Sequence, residues 1–350
     1  MATPTASDNS TSEPEIEKDK PTEDGKETLP RDASPPFNKP SANVIIRTAD
    51  SVDFRVQQAI LAEASTVFAD MFSLPATGPG QKRQQREDDD QEYRDGIPVI
   101  SVTESSKTMD ILLRYCYPLV RPPLPTPSDF CNALVAARKY MVEHMETELK
   151  GLYPGYASQS PLSYYALASA QSGWVKEMKI AAKAALRVPF LFGYVAPEMR
   201  HMNASAYVWL QLYHGNCAAA AASAILSRGP SSHPLLPLQT LDNLDYVFFS
   251  CNHDDRFEDR VVNLVHVKRL NKIVEVESWF MEYLNALASL VLQAPLASIM
   301  GLPEIYSRKG ALTMCTDCSR KVHDDVGRFT ELLMEAVRKA VDGVPLQLHD

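Results

Sequence analysis

Two short pairs of cysteine and histidine residues towards the end of the chain could bind a metal ion. Cys251 and His253 are two positions apart, and Cys315 and Cys318 form a Cys-x-x-Cys pair, with His323 as a substitute ligand. Thiolates and imidazoles bind structural Zn²⁺, and Cys-x-x-Cys is the spacing of one half of such a site. Cys-x-His is an unusual other half, and the gap between the halves is long. The sequence therefore favours ordinary cysteines and surface histidines, and we predict no metal site and no cofactor.

No catalytic arrangement with a recognisable signature occurs in the sequence. There is no Gly-rich phosphate loop, no Gly-x-Ser-x-Gly turn and no His-Glu-x-x-His motif, and the chain contains only 14 glycines. The carboxylate pairs Asp254-Asp255 and Asp324-Asp325 and the run Asp88–Asp90 stand among other charges. Such pairs are typical of solvated loops and helix starts. We therefore predict that the protein is not an enzyme.

The composition excludes several classes of partner. The 350-residue chain has a formal net charge of -9, whereas nucleic-acid-binding proteins present a basic face. No stretch reaches the roughly 18 apolar residues of a membrane span. Six cysteines without a secretory signal are typical of a reducing compartment. We expect a cytoplasmic or nuclear protein that binds neither nucleic acid nor membrane.

The elements that would position any functional residue are clearest near the N-terminus. Val44 and Ile46, then Phe54 and Val56, alternate with the period of two that a half-buried strand requires. The small polar residues of 48–52 between them predict a turn. Apolar residues then recur at spacings of three and four, which predicts a helix face against a core; they are Ile60, Leu61, Ala64, Phe68, Met71 and Phe72.

Three further elements follow an interruption. Ile97–Val102 reads as a third strand, and Ser106–Pro118 and Phe130–Met141 read as helices. In this order these elements resemble a BTB (POZ) domain of the type abundant in mushroom-forming (basidiomycete) fungi. The resemblance covers about Ser41 to Leu149 and implies a small sheet flanked by helices.

The resemblance implies a function in protein–protein interaction. BTB domains self-associate through the first strand and helix, so it predicts a homodimer and recruitment of another, unknown protein as a scaffold. The implied dimer residues are Val44, Ile46, Phe54, Val56, Ile60, Leu61, Phe68, Met71 and Phe72. An alternative is a substrate adaptor of a cullin-3 ubiquitin ligase. Such adaptors often carry an apolar-x-Glu element where this chain has Leu74-Pro75-Ala76, with no acid.

Three features depart from the family pattern. Asn43 replaces the usual opening acidic residue, and Gln57-Gln58 replaces a His-Lys pair at the head of the first helix. Both changes remove polar groups that many BTB domains bury or hold near the dimer interface. The stretch 75–96 is longer than the usual connection, and its core is almost wholly charged or amide. We interpret it as a mobile polar insertion because it cannot bury enough apolar surface to offset its ordering entropy.

The whole chain is predicted to be an α+β protein: an N-terminal BTB/POZ domain followed by an all-α C-terminal region. We place a disordered tail at 1–40, the BTB domain at 41–150, a helical extension at 151–228, a Pro- and Ser-rich linker at 229–237 and a helical region at 238–350. Another open alternative is a zinc-stabilised C-terminal module of unknown activity.

Helices are predicted at several places after the BTB domain. Their ranges are Pro161–Ala170, Trp174–Leu186, Ser205–His214, Val274–Leu292 and Arg328–Val344, together with the alanine-rich run 217–226. Ser172-Gly173 separates the first two helices. Asn203 or Ser205 is the predicted N-cap of the third, and Gly343 fits a C-cap of the last.

Overall fold

A computed structural model describes residues 29–73, 92–189, 196–228, 233–239, 241, 243–250, 262–299 and 301–347. The described residues form two compact units. The first contains 29–59 and 92–107, and the second contains 60–73 and 108–347. The fold is mixed α/β, because each unit includes its own β-sheet.

The first unit is built on a five-stranded sheet. Its strands are β1 (Arg31–Asp32), β2 (Val44–Arg47), β3 (Val52–Val56), β4 (Tyr93–Arg94) and β5 (Ile97–Ser101). Their order across the sheet is β1-β3-β2-β5-β4. β2 is antiparallel to β3, with Val44 opposite Val56, and β5 is parallel to β2, with Ile45 opposite Val99.

The predicted hairpin and third strand are confirmed. The Thr48 hydroxyl lies 3.2 Å from the Val52 carbonyl oxygen and 3.2 Å from the Val52 nitrogen, so this side chain closes the turn. Ser51 has a left-handed backbone conformation, φ 57°, which small polar residues in turns tolerate. The alternating apolar residues therefore lie on strands joined as the sequence predicts.

The C-terminal ends of the predicted tail and of the predicted insertion belong to this sheet. The predicted tail includes β1, which pairs parallel to β3, and Phe37, whose side chain is buried. The predicted insertion 75–96 ends in β4, which is antiparallel to β5. These short strands have no apolar alternation of their own, because each contributes two residues to pairing. Residues 1–28 and 74–91 of those two predictions lie outside the described residues.

The described residues contain the following helices, most of which belong to the second unit. They are α1 (Gln58–Ala64), α2 (Thr66–Ser73), α3 (Ser106–Cys116), α4 (Pro127–Lys139), α5 (Glu143–Gln159), α6 (Pro161–Ser169), α7 (Val175–Ala185), α8 (Ala204–Ile225), α9 (Val247–Ser250), α10 (Ser278–Gln293), α11 (Leu302–Ala311) and α12 (Thr316–Asp342), with a 3₁₀ turn at Pro197–His201.

The predicted helices of the BTB-like region and its extension occur with small shifts at their ends, and the predicted cap is present. The Ala206 N–H donates to Asn203 Oδ1 at 2.7 Å, which satisfies one of the unpaired donors at the start of α8. The predicted helix from Ser205 and the alanine-rich run are one helix. The predicted boundary at 150/151 falls inside α5, where Leu149 and Tyr153 are both buried, so it does not separate two elements.

The C-terminal region is not all-α. Four strands form a second sheet in the order β6-β7-β8-β9; they are β6 (Ser227–Arg228), β7 (Pro234–Leu236), β8 (Val262–Val267) and β9 (Lys272–Glu277). The prediction of a linker at 229–237 is wrong from Pro234 onward, and Val274 begins no helix. Strand β8 shows the alternation that places one face of this sheet against a core: Val265 and Val267 are buried, while Val262 and Leu264 are exposed.

The last helices pack around a cluster of aromatic rings. Phe248 stacks on Phe280 with 3.7 Å between ring centroids, and both rings lie edge-on to Phe329. α12 begins at Thr316, well before the predicted Arg328, because Val322, Val326 and Phe329 continue one buried face. Gly343 is the C-cap as predicted, in a right-handed conformation. No helix among the described residues is long and apolar enough to cross a bilayer.

Candidate interaction surface

The structure places the nine implied dimer residues at different depths. Six side chains are buried within the single chain: Val44, Ile46, Phe54, Val56, Leu61 and Phe68. Ile60, Met71 and Phe72 are partly exposed. In this conformation, a second protein can therefore contact the partly exposed residues of α1 and α2, whereas the six buried side chains stabilise the protomer itself.

The predicted helix face over residues 60–72 is divided between two helices. Ser65 separates α1 from α2 and is buried. Its Oγ accepts a hydrogen bond from the Phe68 N–H at 3.1 Å and donates to the Tyr140 carbonyl oxygen. The Phe68 ring stacks on Tyr140, with centroids 4.7 Å apart. Ser65 therefore caps the start of α2 and connects it to the end of α4. The spacing of apolar residues in the sequence does not indicate this break between α1 and α2.

Three amide residues make specific contacts at the start of α1. The Gln58 N–H donates to Asn43 Oδ1 at 2.8 Å, so Asn43 caps the start of α1. Gln57 Nε2 donates to the Ser41 carbonyl oxygen at 2.6 Å. The Asn43 amide oxygen accepts the Gln58 N–H as a carboxylate would, so Asn43 caps the helix without carrying a charge.

A buried carboxylate lies on strand β3 of the first sheet. Asp53 is fully buried, and Arg47 binds it through Nε–Oδ1 at 2.7 Å and Nη2–Oδ2 at 2.9 Å. Arg94 Nη1 also contacts Asp53 Oδ2, at 2.5 Å. Strand register explains the first pair, because Arg47 lies directly opposite Asp53 and therefore on the same face of the sheet.

Further ion pairs join the two edges of this sheet. Arg94 Nη1 on β4 lies 3.3 Å from Asp32 Oδ1 on β1, although these strands are at opposite edges. Arg55 contacts both Asp32 and Asp95. Four strand spacings amount to about 19 Å in a flat sheet, which is beyond the reach of one arginine. The sheet is therefore strongly curled, and the charged residues lie on its concave face.

The ion pairs determine the protonation of this cluster. Burial disfavours the Asp53 carboxylate, but hydrogen bonds from Arg47 and Arg94 outweigh burial and lower the pKa of Asp53. The hydrogen bond to Asp53 raises the pKa of Arg47. Asp53 and Arg47 are both charged at neutral pH, so their ion pair holds β2 and β3 together.

Asp50 stabilises the start of α3. The Ser106 N–H donates to its Oδ1 at 2.8 Å, and the Ser106 hydroxyl donates to its Oδ2 at 2.6 Å. Burial opposes ionisation, but these bonds outweigh it and lower the pKa of Asp50. A carboxylate at a helix N-terminus also interacts favourably with the helix dipole. The predicted hairpin turn therefore also fixes the next helix.

The candidate metal ligands are only partly described. Cys251 and His253 lie outside the described residues. Cys315 and Cys318 are buried at the start of α12, where the Cys318 N–H points at Cys315 Sγ, 3.5 Å away. His323 Nδ1 lies 3.1 Å from Ser307 Oγ. In the part of the chain that the structure describes, no group of three or more His, Cys, Asp or Glu side chains could hold a metal ion.

The sequence contained a partial signal for the charged cluster. Arg47, Asp53 and Arg55 occupy strand positions where an alternating pattern would place solvated side chains, and that pattern indicates a shared face. Nothing in the sequence indicated that Asp53 would be fully buried, because the covering residues come from the two segments interpreted as irregular.

Comparison with known proteins adds no relative. No protein-family model matches the chain, and no curated protein matches it.

Proposed function

We propose that this protein is a BTB/POZ-type interaction module that self-associates and recruits another protein as a scaffold. The proposal is supported by one observation: strands and helices occur in the order on which the resemblance rests. β2, β3, α1 with α2, β5, α3 and α4 follow one another at the positions expected. The division at Ser65 leaves this order unchanged.

The partly exposed residues of α1 and α2 are the proposed contact. Ile60 and Met71 are apolar, and the exposed Glu63 and Asp70 lie near them in the chain. An apolar centre with charged residues at its rim is the common anatomy of protein interfaces. In a twofold dimer the same patch meets itself, so one substitution changes both sides of the contact.

Light scattering during size-exclusion chromatography of the full chain tests this proposal. The expected mass is twice the 38.9 kDa of one chain. Ile60→Asp should give the single-chain mass, because it places two carboxylates in an apolar contact. Ile305→Asp is the matched control, since Ile305 is exposed on α11. Circular dichroism checks that both variants fold.

The outcomes separate the parts of the proposal. A single-chain mass for the unsubstituted protein at all concentrations would overturn self-association. A dimer that survives Ile60→Asp would place the contact elsewhere.

Mixing the full chain with the cullin-3 N-terminal domain tests the adaptor alternative. A heavier complex would favour an adaptor, and unchanged masses would favour a scaffold with another client. Residues Leu74–Ala76, where adaptors often carry an acid, lie outside the described residues. The choice between adaptor and scaffold therefore depends on this experiment.

A further inference from the structure

Helix α7 has two chemically distinct faces. Its inner face buries Ala181, Ala182, Ala184 and Ala185. Its one acidic residue, Glu177, is also buried and accepts a hydrogen bond from Arg138 Nη2 at 2.8 Å. The guanidinium of Arg138 lies over the Trp174 ring, 4.4 Å from its centroid. The negative charge of α7 is therefore turned inward and neutralised.

The outer face of α7 is a basic stripe. It consists of the exposed residues Lys176, Lys179 and Lys183, and the exposed Arg187 follows in the turn after the end of the helix. Spacings of three and four place the lysines on one side of the helix, over about 10 Å of its length. Lys183 Nζ pairs with Asp342 at 2.7 Å. The other three cations make no ion pair with any described residue.

Helix stability does not account for this stripe. A cation in the last turn interacts favourably with the helix dipole, which explains Lys183. Lys176 stands in the first turn, where the same dipole disfavours a cation. The stripe also lies in a chain with a net charge of -9, so it is a local reversal of the overall charge.

Aliphatic side chains border the stripe. Val175, Ile180 and Val188 are 36%, 37% and 39% exposed. No exposed aromatic residue occurs on α7. The surface therefore combines positive charge with apolar contact area and lacks the rings on which nucleic-acid bases stack.

We propose that the basic stripe of α7 docks an acidic amphipathic segment of a partner protein, with Asp or Glu residues against the cations and aliphatic residues against Val175 and Ile180. Charge complementarity selects this occupant. The stripe is short, and charges separated by more than about 8 Å are screened at physiological salt. A short acidic peptide interacts mainly with the stripe, whereas an extended polyanion also meets the acidic remainder of the chain.

Fluorescence anisotropy with the full chain tests the proposal. The probe is a labelled helical peptide with Glu at positions i, i+4 and i+7 and Leu residues between them. Lys176→Glu with Lys179→Glu should weaken its binding by about 10-fold or more, because attraction becomes repulsion at the centre of the contact. The matched control reverses Lys268 and Lys272, which are exposed in the second unit, and should change binding less than about 2-fold.

Each outcome is decisive. Loss of binding in the first variant alone supports the stripe, provided that circular dichroism and light scattering show unchanged fold and mass. Equal loss in both variants, or no binding by the unsubstituted chain, overturns the proposal. Tighter binding of a single-stranded oligonucleotide, or of vesicles rich in phosphatidylserine, also overturns it and assigns the stripe to another polyanion. The result does not depend on self-association, because light scattering reads that property separately.

Discussion

Asp53 carries a charge at a fully buried position, and two guanidinium groups bind it. Asp53→Asn should lower the free energy of unfolding by about 1–3 kcal/mol, because Arg47 and Arg94 lose their shared buried carboxylate and keep only their contacts to Glu92 and Asp32. The folded-state pKa of Asp53 is lowered. Asp53 therefore contributes its full share to the free energy of unfolding at pH values above its unfolded-state pKa. This contribution is lost as the pH falls through the folded-state pKa of Asp53. Urea unfolding from pH 7 to pH 2 should show the two proteins converging in acid.

The control for Asp53 is an exposed ion pair. Asp110 pairs with Arg114 one turn away on α3, and both are partly exposed. Asp110→Asn should cost less than about 0.5 kcal/mol. The free energies of unfolding of Asp53→Asn and of the unsubstituted protein are then compared as the pH falls. If their difference stays constant into acid, the ion pairs of Asp53 are not its source.

Gly310 lies against the Trp279 ring. A Cβ atom at this position would come within 2.6 Å of Trp279 Cε2. Gly310→Ala should therefore lower the free energy of unfolding by about 1–3 kcal/mol, because the buried indole must move. Gly215→Ala is the matched control: its Cβ would meet nothing within 4 Å. This change in α8 should raise stability by about 0.5–1 kcal/mol. Chemical denaturation measures both, and equal effects would contradict the packing argument.

At the scale of elements, the N-terminal segment completes the first sheet. The Arg55 N–H donates to the Phe37 carbonyl oxygen at 2.8 Å, and the Phe37 ring lies 5.9 Å from that of Phe54. Phe37→Ala should lower the free energy of unfolding by about 3–5 kcal/mol, because it opens a cavity beside β3. Leu29→Ala, at a position 90% exposed, should change it by less than about 0.5 kcal/mol. A small effect of Phe37→Ala in thermal and urea unfolding would contradict the packing of this segment against the sheet.

Elements with a strong period were predictable, and short elements were not. The hairpin of Val44–Val56 and helices such as α3 and α7 follow from patterns several residues long. β1 and β4 contribute two residues each and depend on tertiary pairing. β9 runs directly into α10, so the apolar stretch that includes both has the appearance of one helix in the sequence. Asn271, in a left-handed turn between β8 and β9, is a turn signal that indicates a hairpin before this stretch.

At the scale of the whole molecule, the two proposals assign different surfaces to different tasks. We propose the partly exposed residues of α1 and α2 for self-association and the basic stripe of α7 for binding a client protein. Buried ion pairs such as Asp53–Arg47 could not be predicted, because burial of a charge depends on which distant segments cover it. The basic stripe was visible in the sequence as lysines at helical spacing. It became informative only when the structure showed that Glu177 points away from it.

The parallel pairing of β2 with β5 has a kinetic consequence. Ile45 lies opposite Val99, about fifty positions further along the chain. The β2–β3 hairpin can form in about 1–10 μs, whereas the pairing of β5 with β2 is a non-local contact and is expected to form more slowly. The entropy of closure grows only logarithmically, at about 0.6 kcal/mol for each doubling of loop length. Lengthening the connection between β3 and β5 thus carries a small folding penalty, so this position can accept new sequence at little cost.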